Sequence, residues 1–239
     1  MKRIAVPVLS VVGALAMGAA LWGIFVKAPL QVSYGRDGAV NLGASLFFNQ
    51  KIFYFHVAHA FMLFAGVFTC GVASVAYLKG RAGRWDDLAL AGAEVAAMFG
   101  LVVLLTGSIW AKAAWDVWWT WEKRLTMSLL LWLTLVGYVL VRRFAGPGSE
   151  RLAAGLAVFS AVLVPLIYIM VDQSDRHPQA GSKGNVATLD PTMRTWFWLS
   201  VGAFLCWFLA LLISRVQAAH DERVVRELRE RGLDAGVLS

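Results

Sequence analysis

The feature that most constrains this chain is a set of long stretches without charge. No charged residue interrupts residues 4–26, 52–78, 125–141, 152–171 or 195–214, and residues 88–111 carry one, Glu94. Crossing a bilayer as a helix takes roughly 20 mostly apolar residues. Inside lipid each backbone N–H must find an acceptor within its own segment, and these runs are too long, and too little alternating, for barrel strands. The sequence therefore predicts an all-α integral membrane protein of six transmembrane helices in one polytopic domain, spanning 4–26, 52–78, 88–111, 125–141, 152–171 and 195–214. Composition agrees. With 59% hydrophobic and 15% charged residues among 239, a disordered chain and an ordinary soluble domain are both excluded.

The net charge of +7 would suggest nucleic acid in a soluble chain. In a membrane chain it reads as a topology signal, so the expected surroundings are lipid and no nucleic acid. Residues 1–3, 79–84, 142–151 and the tail 215–239 hold 13 of the 22 Lys and Arg. That side is expected to be cytoplasmic, with both termini inside and loops 27–51, 112–124 and 172–194 outside. A cleaved signal peptide is the alternative for the first span, since Lys2 and Arg3 precede an apolar run with small residues at 14–20. Alternating charges make residues 215–231 a solvated extension of the last helix. Cys70 and Cys206 sit in apolar runs and read as packed thiols. Glu94, an acid inside a span, is a functional candidate by default: protonated, paired across helices, or touching a partner.

The middle outer loop, residues 110–124, is the most unusual stretch. Five of the eleven tryptophans fall there, Trp110, Trp115, Trp118, Trp119 and Trp121, interleaved with Lys112, Asp116, Glu122, Lys123 and Arg124. An interfacial aromatic belt accounts for one or two per helix end. Five in twelve residues point to a platform for a large, flat, apolar ligand, because indole faces stack well and lose little rotamer entropy. Three of the four histidines share this side: His56 and His59 at the start of the second span, and His177 in the last outer loop. Each taken alone reads as an interfacial histidine; taken with the tryptophans they suggest axial ligands for a haem iron. Lys51, Lys112, Lys123, Arg124, Arg176 and Arg194 are the outer-face cations for its propionates, with Arg124 first because it adjoins the cluster.

The stretch LLTGSIWAKAAWDVWWTWEKRLTMS, residues 104–128, resembles the tryptophan-rich WWD segment of the CcmC family, the haem-handling membrane proteins of system I cytochrome c maturation. FYFHVAHA, residues 53–60, is similar to the family's histidine at the start of the second helix, at His56 rather than His59. DPTMR, residues 190–194, resembles the start of its last helix, and His177 falls where the family has a second histidine. Two positions depart: Trp115-Asp116 stands where the family usually reads Trp-Gly, and Trp121-Glu122 where it reads Trp-Asp.

The resemblance implies haem b held between His56 and His177 against Trp115, Trp118, Trp119, Trp121, Glu122 and Arg124, at the periplasmic face of a bacterial inner membrane. It implies transfer to a CcmE-like haem chaperone, within a complex with CcmA- and CcmB-like ABC transporter subunits and a small CcmD-like subunit. No G-x-x-x-x-G-K-[ST] loop is present, so ATP hydrolysis is left to a partner and no catalytic residue is assigned. The rival readings are a b-type electron-transfer cytochrome, a cytochrome c synthase of the same superfamily, and a scaffold or transporter that binds no haem.

Overall fold

Helix dominates because every long apolar run closes its backbone hydrogen bonds on itself. In the computed structural model, which describes residues 2–30, 47–146, 148–170, 186 and 189–236, α1 covers Lys2–Trp22 and runs into a π turn, Gly23–Lys27. A 3-10 turn at Phe47–Ile52 leads into α2, Phe53–Gly80. Then follow α3, Gly83–Trp115, α4, Lys123–Phe144, α5, Glu150–Met170, and α6, Pro191–Asp234. Six helices are long and apolar enough to cross a membrane, and no strand occurs among the described residues.

Each of these six helices overlaps one of the runs expected to span, and α3, α4 and α6 extend beyond theirs at both ends. α3 continues through Trp115, so Trp110 and Trp115 are helical and the non-helical connection is 116–122, not 110–124. α6 has 44 residues, ~66 Å at 1.5 Å per residue, about twice the ~30 Å hydrocarbon core. Its start is written in the sequence: Asp190 accepts a hydrogen bond from the Thr192 N–H at 2.8 Å, and Pro191 occupies the first helical position. Between α2 and α3 the chain reverses at Arg81, whose φ of 51° is left-handed and whose N–H reaches Tyr77 O at 2.7 Å. The Arg81 guanidinium lies over the Tyr77 ring at 5.4 Å.

Lipid supplies no hydrophobic drive between helices, so close packing must hold them, and small residues permit it. α2 and α3 meet at Gly66 and Gly92, where a Cβ on Gly66 would lie 2.8 Å from Ala96 Cβ. Trp132 of α4 donates from Nε1 to Ala97 O of α3 at 2.9 Å. The buried Ser200 hydroxyl of α6 donates to Tyr54 O of α2 at 2.9 Å. Cys70 and Cys206 are free thiols, as expected.

The bundle has a tryptophan end, where α3 hands over to α4, and an arginine end opposite. At the arginine end the acids of α3 are paired. Asp86 takes Arg142 of α4, and Glu94 is held between Arg143 at 2.6 Å and Arg215 of α6. Asp87 receives a two-pronged contact from Arg223, Nε to Oδ1 at 2.9 Å and Nη2 to Oδ2 at 3.0 Å. Of the readings open for Glu94, pairing across helices is therefore the one realised. The tail is helical as expected, but not merely a solvated extension: Arg215 and Arg223 turn back onto α3.

Candidate functional site

At the tryptophan end the first fixed group is His56, one turn into α2. Its Nδ1 lies 2.9 Å from Thr106 Oγ1 of α3. Thr106 is itself a donor to Val102 O at 2.7 Å, which uses its only hydrogen. With that hydrogen engaged, the Thr106 oxygen is an acceptor for His56 Nδ1–H, the tautomer in which Nε2 is the basic nitrogen. An imidazole anchored through one ring nitrogen is the arrangement that metal-ligating histidines adopt. Gly107 makes room for the ring: a Cβ there would meet His56 Cε1 at 3.0 Å. Trp110, one turn along α3, packs edge-on with a centroid separation of 5.7 Å. That Thr106, Gly107 and Trp110 are the partners of His56 is not legible in the sequence. Their i, i+4 spacing on one face of α3 was visible; which α2 residue opposed it was not.

The connection 116–122 begins at Asp116, which caps α3 with φ 60° and an N–H to Lys112 O at 3.1 Å. This is the position at which the resemblance expects glycine. A left-handed residue explains glycine there, and Asp is among the few side chains that tolerate the conformation. Lys112 is tied to it, Nζ to Oδ1 at 2.5 Å, across an exposed surface. Exposed pairs contribute little. Asp116→Gly is thus expected to leave the thermal midpoint unchanged or raise it, by up to ~1 kcal/mol equivalent, whereas Asp116→Val should lower it.

Trp118 and Trp121 are 61% and 77% exposed, so their indoles are presented outward. Trp119 turns inward and meets Trp121 edge-on at 6.0 Å. Trp115 ends α3 half-buried, and Glu122 opens α4 in extended conformation, accepting from Thr126 N–H at 3.0 Å. Trp119 Nε1, Thr120 Oγ1 and Arg124 Nη1 are buried without a hydrogen-bond partner among the described residues. Leaving a buried donor unmet costs about 1–3 kcal/mol, so this cluster is suited to an acceptor-rich anion such as a carboxylate. Lys112 and Lys51 are engaged elsewhere. The Lys51 ammonium is buried and donates to Ile24 O at 2.7 Å and Ala28 O at 2.8 Å, where it completes the C-terminal turn of α1.

His59 does not join His56. It faces Phe99 of α3 and Phe204 of α6. His177 and Arg176 lie outside the described residues. Among the described residues no group of three His, Cys, Asp or Glu side chains is placed to hold a bare metal ion. What the tryptophan end offers instead is an anchored imidazole, outward indoles and unmet buried donors.

A family profile described as heme exporter protein C matches residues 1–231. The chain is 30% identical over 186 residues to heme exporter protein C of Bradyrhizobium diazoefficiens, covering 75% of this chain and 70% of that one. It is 31% identical over 176 residues to heme exporter protein C of Escherichia coli K12, covering 71% and 69%. A more distant relative, the putative cytochrome c biosynthesis ccmC-like mitochondrial protein of Marchantia polymorpha, is 27% identical over 124 residues, covering 52% and 53%.

Proposed function

The chain belongs to the heme exporter protein C family, CcmC, and from that premise we propose that it binds haem at the periplasmic face of the inner membrane and presents it to a CcmE-like haem chaperone in cytochrome c maturation. CcmA- and CcmB-like ABC transporter subunits and a small CcmD-like subunit complete the assembly. Both termini are cytoplasmic on this reading, and this chain carries no catalytic residue.

One observation carries the proposal: the His56–Thr106–Val102 hydrogen-bond chain anchors the His56 imidazole through Nδ1 at the end of the bundle where the indoles gather. His56 and His177 would be the residues that hold the haem iron. Trp118 and Trp121 offer apolar faces to the macrocycle, with Trp115 and Glu122 framing the segment. Arg124 Nη1 and Trp119 Nε1 donate to the propionates, which are the acceptors these buried groups lack. Ligation by both imidazoles would saturate the iron and hold back oxygen chemistry, and one of the two histidines would have to let go for release. An electron-transfer cytochrome would place histidine pairs on facing helices; the described histidines, His56, His59 and His220, provide no such pair.

The test is the absorption spectrum of the purified full chain titrated with haem. Sharp low-spin bands of a bis-imidazole iron are expected, and their absence overturns the proposal. Thr106→Val removes the acceptor that fixes the tautomer and should weaken haem binding by about 10–100-fold without unfolding the protein.

A further inference from the structure

A groove of about 440 Å³ runs between α1, α2, α3 and α6, lined by His59, Phe99, Phe204, Trp207, Ser10 and Ser214 among others. His56, Thr106 and Trp110 are not part of this lining. Met98 and Leu211 are, and both are exposed, at 45% and 40%, so the groove opens sideways on the outer surface of the bundle, which faces lipid in a membrane. Along α6 it extends from Phe204 to Ser214, about 15 Å of helix.

Every side-chain donor in the lining is already engaged. Ser10 donates to Val6 O at 2.9 Å, Ser214 to Ala210 O at 2.8 Å, and Trp207 Nε1 to Ser10 O at 3.3 Å. His59 Nδ1 lies 2.7 Å from Phe55 O; a carbonyl only accepts, so Nδ1 carries a proton and directs it there. No Lys or Arg lines the groove, and no Asp or Glu lines it to hold a second proton on the ring. What the groove still offers is therefore acceptors: Nε2 of His59 and the lone pairs of the two serine hydroxyls. Nε2 has no hydrogen-bond partner among the described residues, and lipid brings no water to it. A ligand of carboxylates, phosphates or carbonyls would add acceptors to acceptors. A hydrocarbon chain would fill the space and give the nitrogen nothing. A hydroxyl on a flat apolar ring meets both demands. The hydroxyl donates to Nε2, and the ring joins an aromatic wall in which the imidazole lies 4.1 Å from Phe204 and 5.5 Å from Phe99, and Phe204 lies 5.6 Å from Trp207, by centroid. The groove is longer than such a ring, and its open side lets an apolar tail continue into lipid.

We propose that this groove binds the headgroup of a membrane quinol through a hydroxyl donated to His59 Nε2, and prefers it to the corresponding quinone, whose carbonyls only accept. The site shares no residue with the haem site proposed at the tryptophan end and does not depend on it. His59 is a binding residue here, and the binding involves no change of oxidation state.

The experiment is isothermal titration of the purified full chain in nanodiscs, under argon, with menadiol, its quinone menadione, menadiol dimethyl ether and farnesol. Empty nanodiscs give the background of partition into lipid. Menadiol should bind saturably. Menadione and the dimethyl ether, which keep the flat ring system but donate no hydroxyl, should bind about tenfold or more weakly, as the loss of one buried hydrogen bond implies. Farnesol, a hydroxyl on a flexible chain without an aromatic ring, should also bind about tenfold or more weakly than menadiol. His59→Phe keeps a ring and removes the acceptor; it should weaken menadiol by about tenfold or more and leave the dimethyl ether unchanged. Met98→Trp, at an exposed position beside Phe99, narrows the groove and should weaken menadiol with the imidazole intact. Gel filtration verifies that each variant is monodisperse, and His59→Leu replaces His59→Phe if the latter aggregates. The comparison of the four ligands on the wild-type chain needs no variant. No saturable menadiol binding, equal affinity for menadiol and its dimethyl ether, equal affinity for farnesol, or menadiol binding unmoved by the His59 substitution would each overturn the proposal.

Discussion

His56→Ala is expected to lower haem affinity about 100-fold or more, ~2.7 kcal/mol, and to convert the low-spin spectrum to that of an iron lacking one imidazole. The expectation follows from the relay to Thr106, which holds the ring with Nε2 as the ligating atom. Because alanine leaves a ring-shaped space beside Trp110, millimolar free imidazole should restore the low-spin bands. Gly107→Val should reproduce much of the loss with the histidine intact, since even a Cβ at 107 comes within 3.0 Å of the ring. Unchanged haem content in His56→Ala would remove His56 from the site.

The second large effect is at the arginine end. Asp87→Ala should lower unfolding stability by about 2–3 kcal/mol, read as a fall in the thermal midpoint of the solubilised protein. Removing one member of a buried pair strands the other charge, at a cost of about 3–5 kcal/mol when both are enclosed. The Asp87 side chain is 5% exposed but that of Arg223 is 26% exposed, which tempers the figure. Replacing both residues by leucine should recover part of the loss, as expected when desolvation offsets most of the attraction. A midpoint unmoved by Asp87→Ala would show that the carboxylate is not stabilising there.

Much of this architecture is legible from charge alone. A run such as 152–171 has no solution in lipid except a helix, and Asp190-Pro191 announces where the last helix starts. Side-chain partnerships are harder, because they depend on helix rotation and depth. Lys51 resembles any loop cation until its ammonium is seen against the carbonyls of Ile24 and Ala28, residues more than 20 positions away. Glu94 looked isolated because both arginines that hold it belong to other helices. His56 and His59 are equivalent by composition, yet three residues of rotation direct one toward Thr106 and Trp110 and the other toward Phe204. The tryptophan segment was conspicuous by density, but that Trp110 meets His56 depends on how α2 and α3 are rotated against each other, and Trp115 is helical only because α3 outlasts its predicted end by about a turn.

α6 is one unbroken rod. Near one end the Ser200 hydroxyl holds it to the backbone of α2 at Tyr54, two residues before His56; far along it Arg223 grips α3. Its first residue continues directly from the segment that contains His177. A stiff beam pinned at two points cannot swing at one end without straining the other. Leverage applied at the charged half of this beam would thus be felt at the attachment of the loop at its other end.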